Sequence, residues 1–332
     1  MRTLARLALS LLTVAAAPHL AAQHAAKDGA EALHVSFVTN TGAAAPGDTT
    51  FFTFGNTQVG VGRLTSQVQV AGEAVTFEVM VALEYVNGSG PFSGFVSLLW
   101  PNGDAVACSY EGIVVRDAAG NSSWSTGVHV IDGSGRFQGS SGSGTVAGFR
   151  DVALGGSVQY TVDLAIRTNA ARDTQRNEPQ GSANGGRSGI EQGRAGDLSI
   201  EVVLAGDPAE QRTRRIGFDD SIRYGLFRIS GTGTSNAGPV HVSALGTVDY
   251  LDGSGPFWAF QVLDFGGNNV VYCRYRGHTD QLSTEATRII GRLDVIGGTG
   301  TFATARGTGT VEARRGGPVG TTQLTSIRLN VR

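Results

Sequence analysis

Four pairs of residues with chemical capacity recur 165 positions apart in this sequence: Arg63 with Arg228, Glu84 with Asp249, Tyr85 with Tyr250, and Tyr110 with Tyr275. A carboxylate, a guanidinium and a phenol lining one apolar cavity can orient a carbonyl or a phenol and move a proton between them. These eight residues are therefore the candidate ligand-binding set, four in each copy. The same residues also admit a structural reading, in which Glu84 and Asp249 face solvent and the tyrosines complete a core. Glu111 and Arg276 are aligned as well but carry opposite charges, so the copies have diverged there.

Other chemistry is thinly represented. His34, His129, His241 and His278 do not stand at ligand spacing from one another, from a cysteine or from a carboxylate cluster, so no metal site is expected. No serine occupies a nucleophile elbow, and no phosphate-binding glycine loop precedes a helix. Gly231-Thr232-Gly233 and Gly307-Thr308-Gly309 are glycine-rich but lie in β-hairpin surroundings. No cofactor is expected, and no catalytic residue is assigned. With 26 basic and 28 acidic residues and a net charge of -2, the chain has no footprint for nucleic acid and no polybasic run for an anionic membrane.

The elements that must position these residues are strands. Glu84 to Gly112 and Asp249 to Gly277 align without a gap, with 12 of 29 positions identical, including Gly-Ser-Gly-Pro-Phe and Cys108/Cys273. The same offset matches Val162, Leu164 and Ile166 to Ile327, Leu329 and Val331. Upstream it matches Leu33, Val35 and Phe37 to Leu198, Ile200 and Val202. One repeat thus spans 33–167 and the other 198–332. The polar, glycine-rich stretch 168–197 between them has the composition of a flexible linker; a long surface loop packed on a domain is the alternative. Within a repeat, alternation at period two dominates: Val75, Phe77, Val79, Val81, Leu83 and Tyr85 share one face, and Thr76, Glu78, Ala82 and Glu84 the other. Turn signals recur every ten to fifteen residues, and 49 glycines, about twice the usual roughly 7%, suit many tight turns. The pattern predicts an all-β chain of two tandem antiparallel eight-stranded up-and-down β-barrels.

The run Ile296-Gly297-Gly298-Thr299-Gly300-Thr301-Phe302-Ala303-Thr304-Ala305-Arg306-Gly307 resembles the Gly-Gly-Thr-Gly-x-Phe hairpin of plant dirigent proteins and the related hairpin of allene oxide cyclases. The preceding Phe265-Gly266-Gly267-Asn268 and Val270 to Gly277 look like the strand pair before it. Repeat 1 carries the shorter version Asp132-Gly133-Ser134-Gly135-Arg136-Phe137. The resemblance implies a calycin-like eight-stranded barrel per repeat. The catalytic positions of both families fall on strands with no motif match in this chain, so none is carried over. Independently of family, the glycines supply the positive φ of a tight hairpin, and Phe137 and Phe302 are placed to plug a barrel or pack its outer face.

The N-terminus reads as a signal peptide over 1–22. Arg2 and Arg6 precede the apolar Leu7 to Ala17, and cleavage is expected after Ala22, with Ala17 as the alternative site. Export to the periplasm or the extracellular space follows, without stable membrane insertion. Cys108 and Cys273 hold equivalent positions and are expected as two buried strand thiols. The expected function is a secreted tandem barrel that binds a small apolar molecule or a glycan without catalysis. The alternatives are a cyclase, isomerase or stereodirecting protein acting on a small organic intermediate, and a structural envelope or matrix protein. An open second barrel favours binding; two filled interiors favour the structural role.

Overall fold

A computed structural model describes residues 30–169, 197–207, 211–284 and 286–332. The expected signal peptide and nearly all of the expected linker lie outside these residues. The first repeat contributes nine strands: β1 (Ala30–Asn40), β2 (Thr49–Phe54), β3 (Thr57–Val70), β4 (Glu73–Val86), β5 (Gly90–Leu99), β6 (Ala105–Arg116), β7 (Ser122–Ser134), β8 (Ser141–Arg150) and β9 (Gln159–Asn169). The second contributes nine more: β10 (Asp197–Leu204), β11 (Arg212–Ile216), β12 (Ile222–Ser235), β13 (Gly238–Leu251), β14 (Gly255–Asp264), β15 (Val270–Ser283), β16 (Ala286–Gly298), β17 (Gly307–Arg315) and β18 (Gln323–Val331). No α-helix occurs among the described residues. Thr168 and Asn169 end β9 and Asp197 begins β10, so the edges of the stretch expected as linker belong to strands.

Each repeat forms one antiparallel sheet, in the order β1-β9-β8-β7-β6-β5-β4-β3-β2 and its counterpart β10-β18-β17-β16-β15-β14-β13-β12-β11. In the second sheet β10 also pairs with β12, which closes an eight-stranded barrel and leaves β11 as a hairpin strand outside the circuit. The first sheet curls the same way, but β1 and β3 form no ladder. Two isolated hydrogen bonds span that seam: Thr39 Oγ1 donates to Ser66 Oγ at 3.0 Å, and the Gly42 N–H donates to the Thr65 carbonyl at 3.4 Å. The expectation of two closed eight-stranded barrels is thus corrected on two points: each copy has a ninth strand, and one copy is closed by a ladder.

The physical reason lies in two glycines. At the seam of the second copy a Cβ on Gly231 would sit 2.0 Å from the Val203 carbonyl oxygen, and one on Gly233 would sit 2.3 Å from that of Glu201. Only bare backbone lets β10 approach this closely. The matched positions in the first copy are Ser66 and Val68. Both carry a Cβ, for which the backbone approach seen in the second copy leaves no room.

The alternation sorts side chains as expected on one face. Val75, Phe77, Val79, Leu83 and Tyr85 belong to the apolar interior of the first copy. The opposite face is covered over its middle and far half, while Thr76 is half-buried. Glu78, Ala82 and Glu84 are all buried there, because the second barrel packs against it. Met80, Phe95, Tyr224, Leu226, Phe260 and Tyr272 form an apolar cluster between the copies. Phe54 stacks on Tyr272 at 4.2 Å, and the Tyr224 hydroxyl meets Ser97 Oγ at 2.9 Å. An ionic network frames the cluster. Glu78, 1% exposed, takes hydrogen bonds from Arg63 Nε at 2.6 Å, from Arg214 Nη2 at 2.9 Å and from Arg214 Nε. Asp48 takes them from Arg63 and, across the interface, from Arg212 at 2.9 Å.

The hairpin glycines are structural. Gly135 and Gly300 adopt φ of 60° and 57° at the start of single 3₁₀ turns, the left-handed region that side chains avoid. Phe137 then enters the core of the first copy against Trp100, ring centroids 4.6 Å apart, and Phe302 packs on Phe265 at 5.2 Å. Cys108 and Cys273 are buried and unpaired, each inside its own copy, and burial pushes the Cys108 thiol up to about 12.

Two predictions follow from this packing. Gly233→Val, which installs the residue of the matched position, is expected to destabilise the second barrel by about 1–3 kcal/mol through overpacking. It is also expected to release the amide protection of Ile200 to Val202 in hydrogen exchange; unaltered protection there would show that the glycines do not govern closure. The second concerns acid. Burial raises the pKa of Glu78, but the hydrogen bond and charge of Arg214, joined by those of Arg63, reverse this and leave it below its ordinary value. A depressed carboxylate contributes stability in full above the unfolded pKa near ~4.3, and the contribution is lost as pH falls through the lower folded value. Urea unfolding of the wild type is therefore expected to weaken below about pH 4 more steeply than that of Glu78→Gln. Parallel pH profiles would remove Glu78 from the account.

Candidate functional site

Strand alternation separates the eight candidate residues into two groups. Tyr85, Tyr110, Tyr250 and Tyr275 point into the interiors of their copies. Arg63, Glu84, Arg228 and Asp249 lie on the outer faces. Arg63 is consumed by Asp48 and Glu78. Glu84 receives Arg274 in a two-pronged bridge, Nε to Oε2 at 2.8 Å and Nη2 to Oε1 at 2.7 Å, which ties the copies together. Arg228 stands between the inward-facing Phe227 and Ile229, with its backbone N–H donating to Gln211 Oε1 at 2.9 Å. Asp249 has no equivalent of Arg274 to meet, because Ser109 holds the matched position. It borders a cleft of about 590 Å³ between the copies, where burial raises its pKa. The structure therefore brings the tyrosines together without the carboxylates and arginines expected beside them.

A different arginine takes that place. Arg150 in β8 and Arg315 in β17 are matched at the same offset, and both enter the mouth of their copy beside the tyrosines. Each is 8% exposed, and burial lowers the pKa of both. The pair was legible: Val146, Gly148 and Arg150 alternate as do Val311, Ala313 and Arg315. It lies outside the run of strongest identity, and the doublet Arg314-Arg315 hides which arginine faces inward.

The two interiors differ in chemistry. In the first copy Tyr85, Tyr110, Tyr160, Phe92 and Trp124 surround a cavity of about 40 Å³, with Trp124 edge to face on Phe92 and Tyr160. In the second, Val96, Val114, Val158 and Tyr160 are replaced by Gln261, Thr279, Gln323 and Thr325. All four are buried. Thr279 Oγ1 donates to the Tyr250 hydroxyl at 2.9 Å, and Gln323 Nε2 donates to Thr325 Oγ1 at 3.2 Å. The Tyr275 hydroxyl and both polar atoms of the Gln261 amide have no hydrogen-bond partner. Gln261 and Cys273 are cross-strand neighbours, and Tyr275 stands two residues farther along the same inner face toward the mouth.

The mouth of the second barrel has two levels. A cavity of about 20 Å³ lies inside, lined by Tyr250, Tyr275 and Arg315 beneath Val319 and Gly320. Val319, Tyr250 and Arg315 also border an outer cleft of about 380 Å³, together with Arg215 and Arg223. The loop between β17 and β18 thus inserts Val319 as a stopper between the two spaces. Leu154 holds the matched place in the first copy.

Among the described residues, the inward-facing positions of the second barrel's strands carry no carboxylate and no imidazole. Burial raises the pKa of Tyr250, Tyr275 and Cys273, so near neutral pH their O–H and S–H groups stay protonated. The arrangement can offer hydrogen bonds and one buried guanidinium but, among the described residues, no general base in this interior. No group of three residues able to hold a metal ion occurs among the described residues. Comparison with protein-family models, with curated proteins and with solved structures found no match for the chain, so its function is read from this site alone.

Proposed function

We propose that this is an exported binding protein whose second barrel takes up a small organic molecule at its mouth without transforming it, with the first copy as a packed scaffold. The observation that carries the reading is the pair of buried, unpartnered polar side chains, Tyr275 and Gln261, inside the second copy; the first copy has unpartnered Arg150 Nε and Trp124 Nε1 at its own cavity but no polar group at the position of Gln261. A buried amide or hydroxyl left without a partner costs about 1–3 kcal/mol. A folded chain keeps such groups where something else satisfies them, and a ligand hydroxyl or carbonyl is suited to both. The first copy supports its scaffold role at the matched position, where Val96 is buried in an apolar interior.

The polar interior shifts the expected ligand from a purely apolar molecule toward one with hydrogen-bonding groups on an apolar body. The inner cavity holds only about 20 Å³ and the outer cleft about 380 Å³, so the body of the ligand sits at the mouth and a small polar group alone reaches the level of Tyr275. A cyclase or isomerase reading needs a base in the same interior, and the described residues offer none.

The test is native mass spectrometry of the exported full chain, in the wild type and in Gln261→Val. That substitution restores the residue of the first copy. Ligand retention is expected to be lost, while the ligand-free protein gains about 1–3 kcal/mol of stability from removal of the unsatisfied amide. A variant that is more stable yet retains the same ligand mass would sink the assignment of the second interior as the site.

A further inference from the structure

The outer cleft of the second barrel says more about what binds there. Three guanidiniums reach it from three different strands: Arg215 from β11, Arg223 from β12 and Arg315 from β17. Arg215 stands directly opposite Arg223 in the β11–β12 ladder, and Arg223 stands opposite Tyr250 in the β12–β13 ladder. Like charges directly across a ladder repel and destabilise the pair. The repulsion is felt in the titration of Arg223: burial first, then the charges of Arg215 and Arg315, push its pKa down. None of the three arginines forms an ion pair among the described residues. Asp219, Asp220 and Asp252 also border the cleft, exposed on its rim as Arg215 is, while Arg223 and Arg315 lie deeper. Arg315 donates Nε to the Gly317 carbonyl at 2.9 Å, which fixes the guanidinium at the base of the cleft. The unpartnered Tyr275 hydroxyl lies just below, in the inner cavity that shares Arg315 and Tyr250 with the cleft.

The first copy lacks this arrangement. Thr50 and Gln58 stand where Arg215 and Arg223 stand in the second, although Arg150 matches Arg315. The added charge is therefore specific to the copy with the polar interior. A carboxylate has two oxygens, and one guanidinium in a two-pronged contact satisfies it. Three guanidiniums arriving from three strands match a tetrahedral oxyanion, which presents three oxygens and carries up to two charges.

Building on the second barrel as the binding site, we propose that its ligand is a phosphate or sulfate monoester of a small organic alcohol or phenol, with the oxyanion held by Arg215, Arg223 and Arg315. The ester's organic body faces the stopper Val319 and the tyrosine-lined mouth, so the oxyanion governs affinity and the barrel governs which body fits.

Isothermal titration of the full chain with phenyl phosphate, inorganic phosphate, benzoate and phenol tests this. Phenyl phosphate is expected to bind at least about tenfold more tightly than benzoate and more tightly than inorganic phosphate. Arg223→Gln and Arg215→Gln are each expected to weaken it by about tenfold or more, as loss of a charge-assisted hydrogen bond does. Both variants also relieve the like-charge pair, so their unliganded melting temperatures are expected to hold or rise, which separates lost binding from lost folding. Benzoate binding as tightly as phenyl phosphate, or phenyl phosphate affinity within twofold of wild type in both variants, overturns the inference, as does failure of phenyl phosphate to bind. If phenol binds and loses affinity in Gln261→Val while phenyl phosphate does not bind, the oxyanion assignment falls and the barrel site stands. If no probe binds and no ligand is retained from export, both fall.

Discussion

The strands between the two copies are buried on both faces, and most of this architecture follows from that constraint. On β4 one residue in two enters the interior of the first copy, and the next enters the contact with the second. From Phe77 to Tyr85 period two then acts as a sorting rule with no solvent side. Leu83 and Tyr85 go inward, while Ala82 and Glu84 go to the partner copy. A fully buried charge on such a strand needs a partner across the contact, because a buried uncompensated charge costs several kcal/mol. Glu78 and Glu84 find Arg214 and Arg274.

The parts of this fold that depend on local pattern were visible in the residues. The alternation from Val75 to Tyr85, the hairpin glycines at 135 and 300, and the duplication at a constant offset are all consequences of neighbours in the chain. What escaped depends on contacts between the copies. Glu84 and Tyr85 look like companions in a site, yet adjacency on a strand places them on opposite faces. Which face meets water, a lumen or another barrel is decided by a surface 165 residues away. The short β2 and β11 were hidden for a related reason, since a run such as Thr49–Phe54 is too brief to announce itself and pairs only after the sheet exists. Arg150 and Arg315 were readable from alternation but fall outside the most similar stretch.

Duplication followed by divergence is written in the matched positions. The outer faces changed so that two copies could pack: Val59 faces the contact where the second copy has Tyr224, and Ser97 supplies the hydroxyl that Tyr224 meets. The interiors changed in opposite directions, one toward tyrosine and tryptophan, the other toward glutamine and threonine. The seams changed as well, through Ser66 and Val68 against Gly231 and Gly233. Each difference needs only a few substitutions, and together they turn a repeat into two unlike partners.

The salt bridges between the copies also impose an order in time. Arg214 follows Glu78 by 136 residues. At typical elongation rates of roughly 5–20 residues per second, about 7–27 seconds separate the synthesis of the carboxylate from that of its partner across the contact. During that interval the nascent first copy presents Met80, Phe95 and an acidic group answered by Arg63 alone, an uncovered apolar surface of the kind that aggregates or recruits a chaperone. The tandem arrangement places the covering surface on the same chain, at a fixed distance, so the wait ends without a search for a second molecule.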